Sequence, residues 1–126
     1  MNIRIRAKNF EITGAIRDYV IKKISTLEKF LERSDEEVIC DVEIGRTTTH
    51  HKSGDIFRAE VNIKEPGGKQ IYAAAEEVDL YTAIDVVRDE AERAVVSRKN
   101  KYKTLFRHGA ARVKDILKRV NFRRKK

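Results

Sequence analysis

The chain has 126 residues, of which 38% are charged, and a formal net charge of +8. That length suits one domain with one modest core, and one Pro and six Gly amid clear periodicity exclude a disordered body. No apolar run reaches membrane-spanning length, the single Cys40 cannot form an internal disulfide, and the N-terminus lacks the apolar core of a secretion signal, so the expected compartment is a reducing cytoplasm.

Ile3, Ile5 and Ala7 alternate with Arg4, Arg6 and Lys8, which predicts a half-buried strand. Thr13 is a good N-cap for a helix. Ile16, Val20, Ile24, Leu27 and Leu31 then recur at helical spacing and predict one amphipathic helix, ended by the acidic Ser34-Asp35-Glu36-Glu37 segment. Val38, Cys40, Val42 and Ile44 predict a second strand, and Gly45 to Gly54 a polar loop. Phe57, Ala59, Val61 and Ile63 predict a third strand. Pro66-Gly67-Gly68 is a turn, and Ile71, Ala73 and Ala75 predict a fourth strand. Asp79 should cap a second helix whose buried stripe is Leu80, Ile84, Val87, Ala91 and Val95, running to about Lys103.

The order is β-α-β-β-β-α. A right-handed crossover makes the first two strands parallel, and hairpins make the others antiparallel. The expected fold class is α+β, a two-layer sandwich in which both helices cover one face of a four-stranded mixed sheet. The open face would carry Arg4 and Arg6 near Asp41 and Glu43, a pattern of cross-strand pairing that reads as a solvated surface. Residues 1–103 form the expected domain. Residues 104–126 form a basic extension, with Ala110, Val113, Ile116, Leu117 and Val120 as the stripe of a short amphipathic helix.

Charge is distributed unevenly. From Arg98 to Lys126 there are thirteen Lys/Arg and one acid, a net +12, while residues 1–97 carry −4. A cationic arm on a mildly acidic body concentrates attraction for a polyanion at one end. Its mixture of Arg and Lys suits binding to a phosphate backbone without base readout.

Glu11-Ile12-Thr13-Gly14-Ala15-Ile16-Arg17-Asp18-Tyr19-Val20, continuing to Lys23-Ile24 and Leu27-Glu28-Lys29-Phe30, and Asp79-Leu80-Tyr81-Thr82-Ala83-Ile84-Asp85 resemble the ribosome hibernation-promoting factors, a family that includes ribosome-associated inhibitor A. The resemblance spans roughly residues 1–103. It implies a stress-induced protein that catalyses nothing and needs no cofactor. Its partner would be the small ribosomal subunit and its ribosomal RNA, bound in the path of messenger and transfer RNA; no small-molecule substrate and no membrane are implied, and the chain off the ribosome is expected to be a monomer. The family commonly has Lys at the positions of Glu90 and Ser97 and a Gln-Leu pair at Ala94-Val95, whereas Arg93 fits its pattern.

The candidate RNA-binding residues are Arg93, which points away from the buried stripe, and Arg98, Lys99, Lys101 and Lys103 beyond it. Arg107, Arg112, Lys118 and Arg119 extend the set into the arm. Lys22 and Lys29, seven residues apart, would share the outward face of the first helix. Tyr81 is expected to pack beside that helix and hydrogen-bond through its hydroxyl. Asp79 and Asp85 read as structural. His50 and His51 are adjacent on a loop while Cys40 faces the core, so no metal site is expected. There is no Gly-rich phosphate loop and no nucleophile–base set, which argues against an enzyme. Two other readings stay open: a free double-stranded-RNA-binding module, and a protein-interaction module whose basic tail helix docks on a partner.

Overall fold

The computed structural model describes residues 1–32, 35–47 and 54–107. The chain divides into two units, Met1–Val95 and Val96–Lys126; the sheet, the first helix and the core belong to the first. Strand β1 (Asn2–Lys8) leads to helix α1 (Gly14–Ser25) and a 3₁₀ turn (Thr26–Phe30). Strands β2 (Ile39–Thr47), β3 (Ile56–Lys64) and β4 (Gln70–Glu77) come next, then helix α2 (Leu80–Arg107). The sheet order is β1-β2-β3-β4, with β1 parallel to β2 and the other pairs antiparallel. This is the expected α+β topology.

One core forms. Cys40, Val42 and Ile44 of β2, Ala59, Val61 and Ile63 of β3, and Ile71 and Ala73 of β4 bury the same face. Ile16, Val20 and Ile24 of α1 and Ala83, Ile84, Val87, Ala91 and Val95 of α2 pack onto it. Ile3 and Ile5 are only half-buried, because β1 is an edge strand. Cys40 is free and buried, and burial pushes its thiol up to about 12.

The first helix ends earlier than its apolar spacing predicts. All five stripe residues from Ile16 to Leu31 are buried, yet regular α-helix stops at Ser25. The Ser25 hydroxyl donates to the Lys22 carbonyl at 3.2 Å and the Thr26 hydroxyl to the Lys23 carbonyl at 2.5 Å. Such back-bonding competes with the helical ladder and favours tightening into a 3₁₀ turn. Spacings of three and four are served by both helix types, so periodicity alone could not locate the change.

Local chemistry sets the other boundaries. Thr13 caps α1, its hydroxyl accepting from the Ile16 N–H at 3.2 Å. Asp79 caps α2, accepting from the Thr82 N–H and hydroxyl, each at 2.9 Å, and these bonds hold its carboxyl below the usual range. Gly67 and Gly68 adopt φ of 91° and 86°, left-handed values that a β-carbon disfavours, and so reverse the chain between β3 and β4. The pairing of β2 continues through Gly45, Arg46 and Thr47, three residues past the expected strand end.

Two clamps hold the helices together. Arg88 of α2 donates to the Thr26 hydroxyl at 2.9 Å, lies 5.9 Å from the Phe30 ring centroid, and pairs with Glu92 at 2.9 Å. Nearer the helix N-termini, the Tyr19 hydroxyl donates to Asp85 at 2.5 Å, which pushes the phenol up to about 12. The Tyr19 and Tyr81 rings meet edge-to-face at 4.8 Å, and Lys23 reaches Asp85 at 3.7 Å. Tyr81 therefore packs against the first helix as expected, but the hydroxyl that ties the helices together is Tyr19's. Asp85 serves structure, again as expected.

Tyr19→Phe keeps the ring contact and removes the hydrogen bond. It should lower unfolding stability by about 1 kcal/mol, measurable by urea denaturation, whereas Tyr81→Phe should leave stability nearly unchanged.

Candidate nucleic-acid interface

On the open face of the sheet, most charges answer one another. Arg4 and Asp41 are register partners, and the guanidinium grips the carboxylate with two bonds of 2.7 and 3.0 Å. Lys64 adds a contact to Asp41 at 3.0 Å. The Arg4 hydrogen bonds, reinforced by Lys64, hold the Asp41 carboxyl down at about 2. Arg58 bonds Glu60 at 2.7 Å, Glu76 at 3.1 Å and the Tyr72 hydroxyl at 3.4 Å, which raises its own pKa. A surface neutralised in this way has little long-range attraction for phosphate, in keeping with the solvated reading.

Arg93 stands apart from that face. Its side chain is 74% exposed on α2, pointing away from the core as the stripe geometry requires. It is paired with Glu90, one turn earlier on the same helix. That acid occupies a position where the resemblance led one to expect Lys. A phosphate approaching Arg93 must therefore compete with a carboxylate already in place.

Lys22 and Lys29 are both exposed. Lys22 lies in the last turn of α1, where a cation suits the helix dipole. Lys29 lies in the 3₁₀ turn, its amine 5.1 Å from the Phe30 ring centroid. Lys23, which neither alternation nor spacing singles out in the sequence, sits 5.6 Å from the Tyr19 ring centroid.

In the second unit, α2 continues to Arg107, four residues beyond the expected end near Lys103. Arg98 is half-exposed. Positions 99, 101, 103 and 107 follow it along the same helix. The helix thus includes the first four residues of the expected extension. Arg112, Lys118 and Arg119, the 110–120 stripe, and His50 and His51 lie outside the described residues. Among the described residues, no group of three or more His, Cys, Asp and Glu could hold a metal ion, and no helix is long and apolar enough to cross a membrane.

Two variants probe these charges. Asp41 is ionised more readily folded, at about 2, than in an unfolded chain, at about 3.9. Its contribution to stability is therefore complete above about pH 4 and is lost as pH falls towards about 2. Asp41→Asn should be less stable than the parent at neutral pH, with the gap closing across that window in urea melts. Glu90→Gln should unpair Arg93, raise RNA affinity a few-fold and steepen the salt dependence by about one unit, as read by filter binding across a salt series.

The sequence matches the family described as Sigma 54 modulation protein / S30EA ribosomal protein over residues 3–103. It is 30% identical over 113 residues to a ribosome hibernation promoting factor of Pseudomonas putida, covering 89% of this chain and 100% of that protein. The factor of the same name from Klebsiella oxytoca is 35% identical over 103 residues, covering 82% and 98%. Among solved structures, the crystal structure of the Thermus thermophilus Protein Y N-terminal domain superposes with a TM-score of 0.61 at 34% identity, over 75% of this chain and 96% of that one. A ribosomal subunit interface protein from Coxiella burnetii, at 21% identity and a TM-score of 0.63 over 79% and 99%, shares the fold. With a two-layer body of matching topology and a match over most of its length, this chain belongs to the Sigma 54 modulation protein / S30EA ribosomal protein family, the non-enzymatic ribosome hibernation factors.

Proposed function

We propose that this protein is a cytoplasmic ribosome hibernation factor. It binds the small ribosomal subunit in the messenger and transfer RNA path of the decoding region, blocks translation and preserves idle ribosomes under stress. The observation that carries this reading is the agreement of two independent features: family membership over residues 3–103, and a net charge of +12 gathered from Arg98 onward. The first points to ribosomes. The second supplies what any ligand of ribosomal RNA needs, a dense array of cations that releases counterions from phosphate.

In this reading the body provides shape. Arg93 and the bases at 98, 99, 101, 103 and 107 grip the RNA backbone. The segment holding Arg112, Lys118 and Arg119 extends along the phosphate-lined messenger channel, and Lys22 and Lys29 make secondary contacts. No step of chemistry is required, only occupancy.

The test is sucrose-gradient co-sedimentation with vacant ribosomes across a salt series. Stoichiometric binding to the small subunit, weakened by messenger or transfer RNA, is expected. If six to ten phosphates are neutralised, affinity should fall by roughly 10³–10⁵ between about 50 and 200 mM salt. Replacing Arg98, Lys99, Lys101 and Lys103 together by Gln should flatten that dependence by about one unit for each phosphate that is no longer neutralised. Affinity for ribosomes no greater than for an isolated RNA duplex would instead leave a generic duplex-binding module, and binding that survives both salt and nuclease a protein-interaction module.

A further inference from the structure

One patch of the open sheet face is not neutralised. Arg6 and Glu43 are register partners on β1 and β2, as Arg4 and Asp41 are, yet among the described residues neither makes an ion pair or a side-chain hydrogen bond. Glu43 instead stands directly opposite Glu60 on β3, a like-charge juxtaposition that disfavours pairing. The next residue along β3 on this face is Asn62, whose Oδ1 is buried without a hydrogen-bond partner. Beside Asn62 in the register is Tyr72 of β4, a residue with 56% exposure. Arg6, Glu43, Asn62 and Tyr72 all line one recess of about 150 Å³.

From β1 to β2, the unused groups run donor, then the two acceptor oxygens of one carboxylate, with an exposed tyrosine lining the same recess. The planar group that complements this order presents acceptor, donor, donor along one edge. Among the RNA bases that is the Watson–Crick edge of guanine, with O6, N1–H and the N2 amino group. Adenine, cytosine and uracil each place an acceptor where guanine has one of its donors. Tyrosine is a common stacking platform for unpaired bases.

We propose that this recess binds an unpaired guanine base of RNA. Arg6 donates to O6, the two Glu43 carboxylate oxygens accept from N1–H and N2–H, and Tyr72 stacks on the ring. The rest of the face remains solvated. The proposal stands apart from the ribosome-binding reading, because any single-stranded RNA with an accessible guanine satisfies it.

The full chain, at moderate salt to limit backbone binding, is titrated by fluorescence anisotropy with two labelled pentanucleotides: uridines with a central guanosine, and uridines with a central adenosine. The guanosine probe should bind at least about fivefold more tightly, the lower end of what one bidentate base contact discriminates. Glu43→Gln and Tyr72→Ala should bring the guanosine probe down to the affinity of the adenosine probe, which should itself change little in Glu43→Gln. Glu43→Gln removes the opposition to Glu60 and so leaves the fold intact. Equal affinities in the parent chain, or a guanosine preference undiminished in Glu43→Gln, would overturn the assignment and leave ribosome binding untouched as a reading.

Discussion

A four-stranded sheet covered by helices on one side has to bury every second side chain and leave the others in water. That constraint governs the body. It fixes Cys40, Val42 and Ile44, then Ala59, Val61 and Ile63, as a single apolar layer, and it sends Asp41, Glu43, Arg58 and Glu60 to the other side. A one-residue slip in any strand would exchange the two sets. The Arg4–Asp41 pair adds a polar check on the β1–β2 register, because only the correct pairing puts the guanidinium opposite its carboxylate. Once the sheet is set, the helices have one face to cover. The Tyr19–Asp85 and Arg88–Thr26 contacts then decide how the first helix and the start of the second meet over it.

Electrostatics separates the molecule differently. In the body, cations are mostly satisfied by neighbouring acids: Arg4 and Lys64 by Asp41, Arg58 by Glu60 and Glu76, Arg88 by Asp89 and Glu92, Arg93 by Glu90. Exposed pairs of this kind add little stability. Their larger effect is to cancel the field that would otherwise draw the body non-specifically onto RNA. From Arg98 onward one acid faces thirteen bases, so a comparable cancellation is impossible there whatever the conformation.

Much of this was legible in the sequence because it rests on local periodicity. Alternation marked all four strands, and the stripe from Leu80 to Val95 marked the second helix. The charge imbalance needed only counting. What escaped depended on partners distant in the chain or on small local energies. The α-to-3₁₀ change at Ser25 turns on two hydroxyls bonding back to carbonyls, which spacing in the sequence does not register. That the hydroxyl bond between the helices comes from Tyr19 and not Tyr81 depends on the meeting of two helices that no local spacing connects. The recess around Glu43 needs the register of three strands at once: Glu43 looked like a partner for Arg6, and nothing local says that the ion pair stays unmade. Arg93 was found by its helical phase, whereas its capture by Glu90 is a consequence of i, i+3 spacing and could have been read from the sequence as well.

The separation of charge from shape bears on how selectivity could arise. In the proposed binding mode a +12 segment would attract any RNA, and its contribution would depend on salt more than on sequence. It would raise the rate of encounter and the residence time without distinguishing a decoding region from a random duplex. Discrimination would then fall to the body, and a body with strong unpaired charges would blur it by adding further indifferent attraction. Pairing Arg93 with Glu90 moves in the opposite direction. In the proposed binding mode it would lower the non-specific grip of α2, so that the guanidinium would engage phosphate only where the fit elsewhere is good enough to displace the acid. On that reading, acids among the cations of the surface would act as a threshold, and the weaker intrinsic contact would let shape decide the partner.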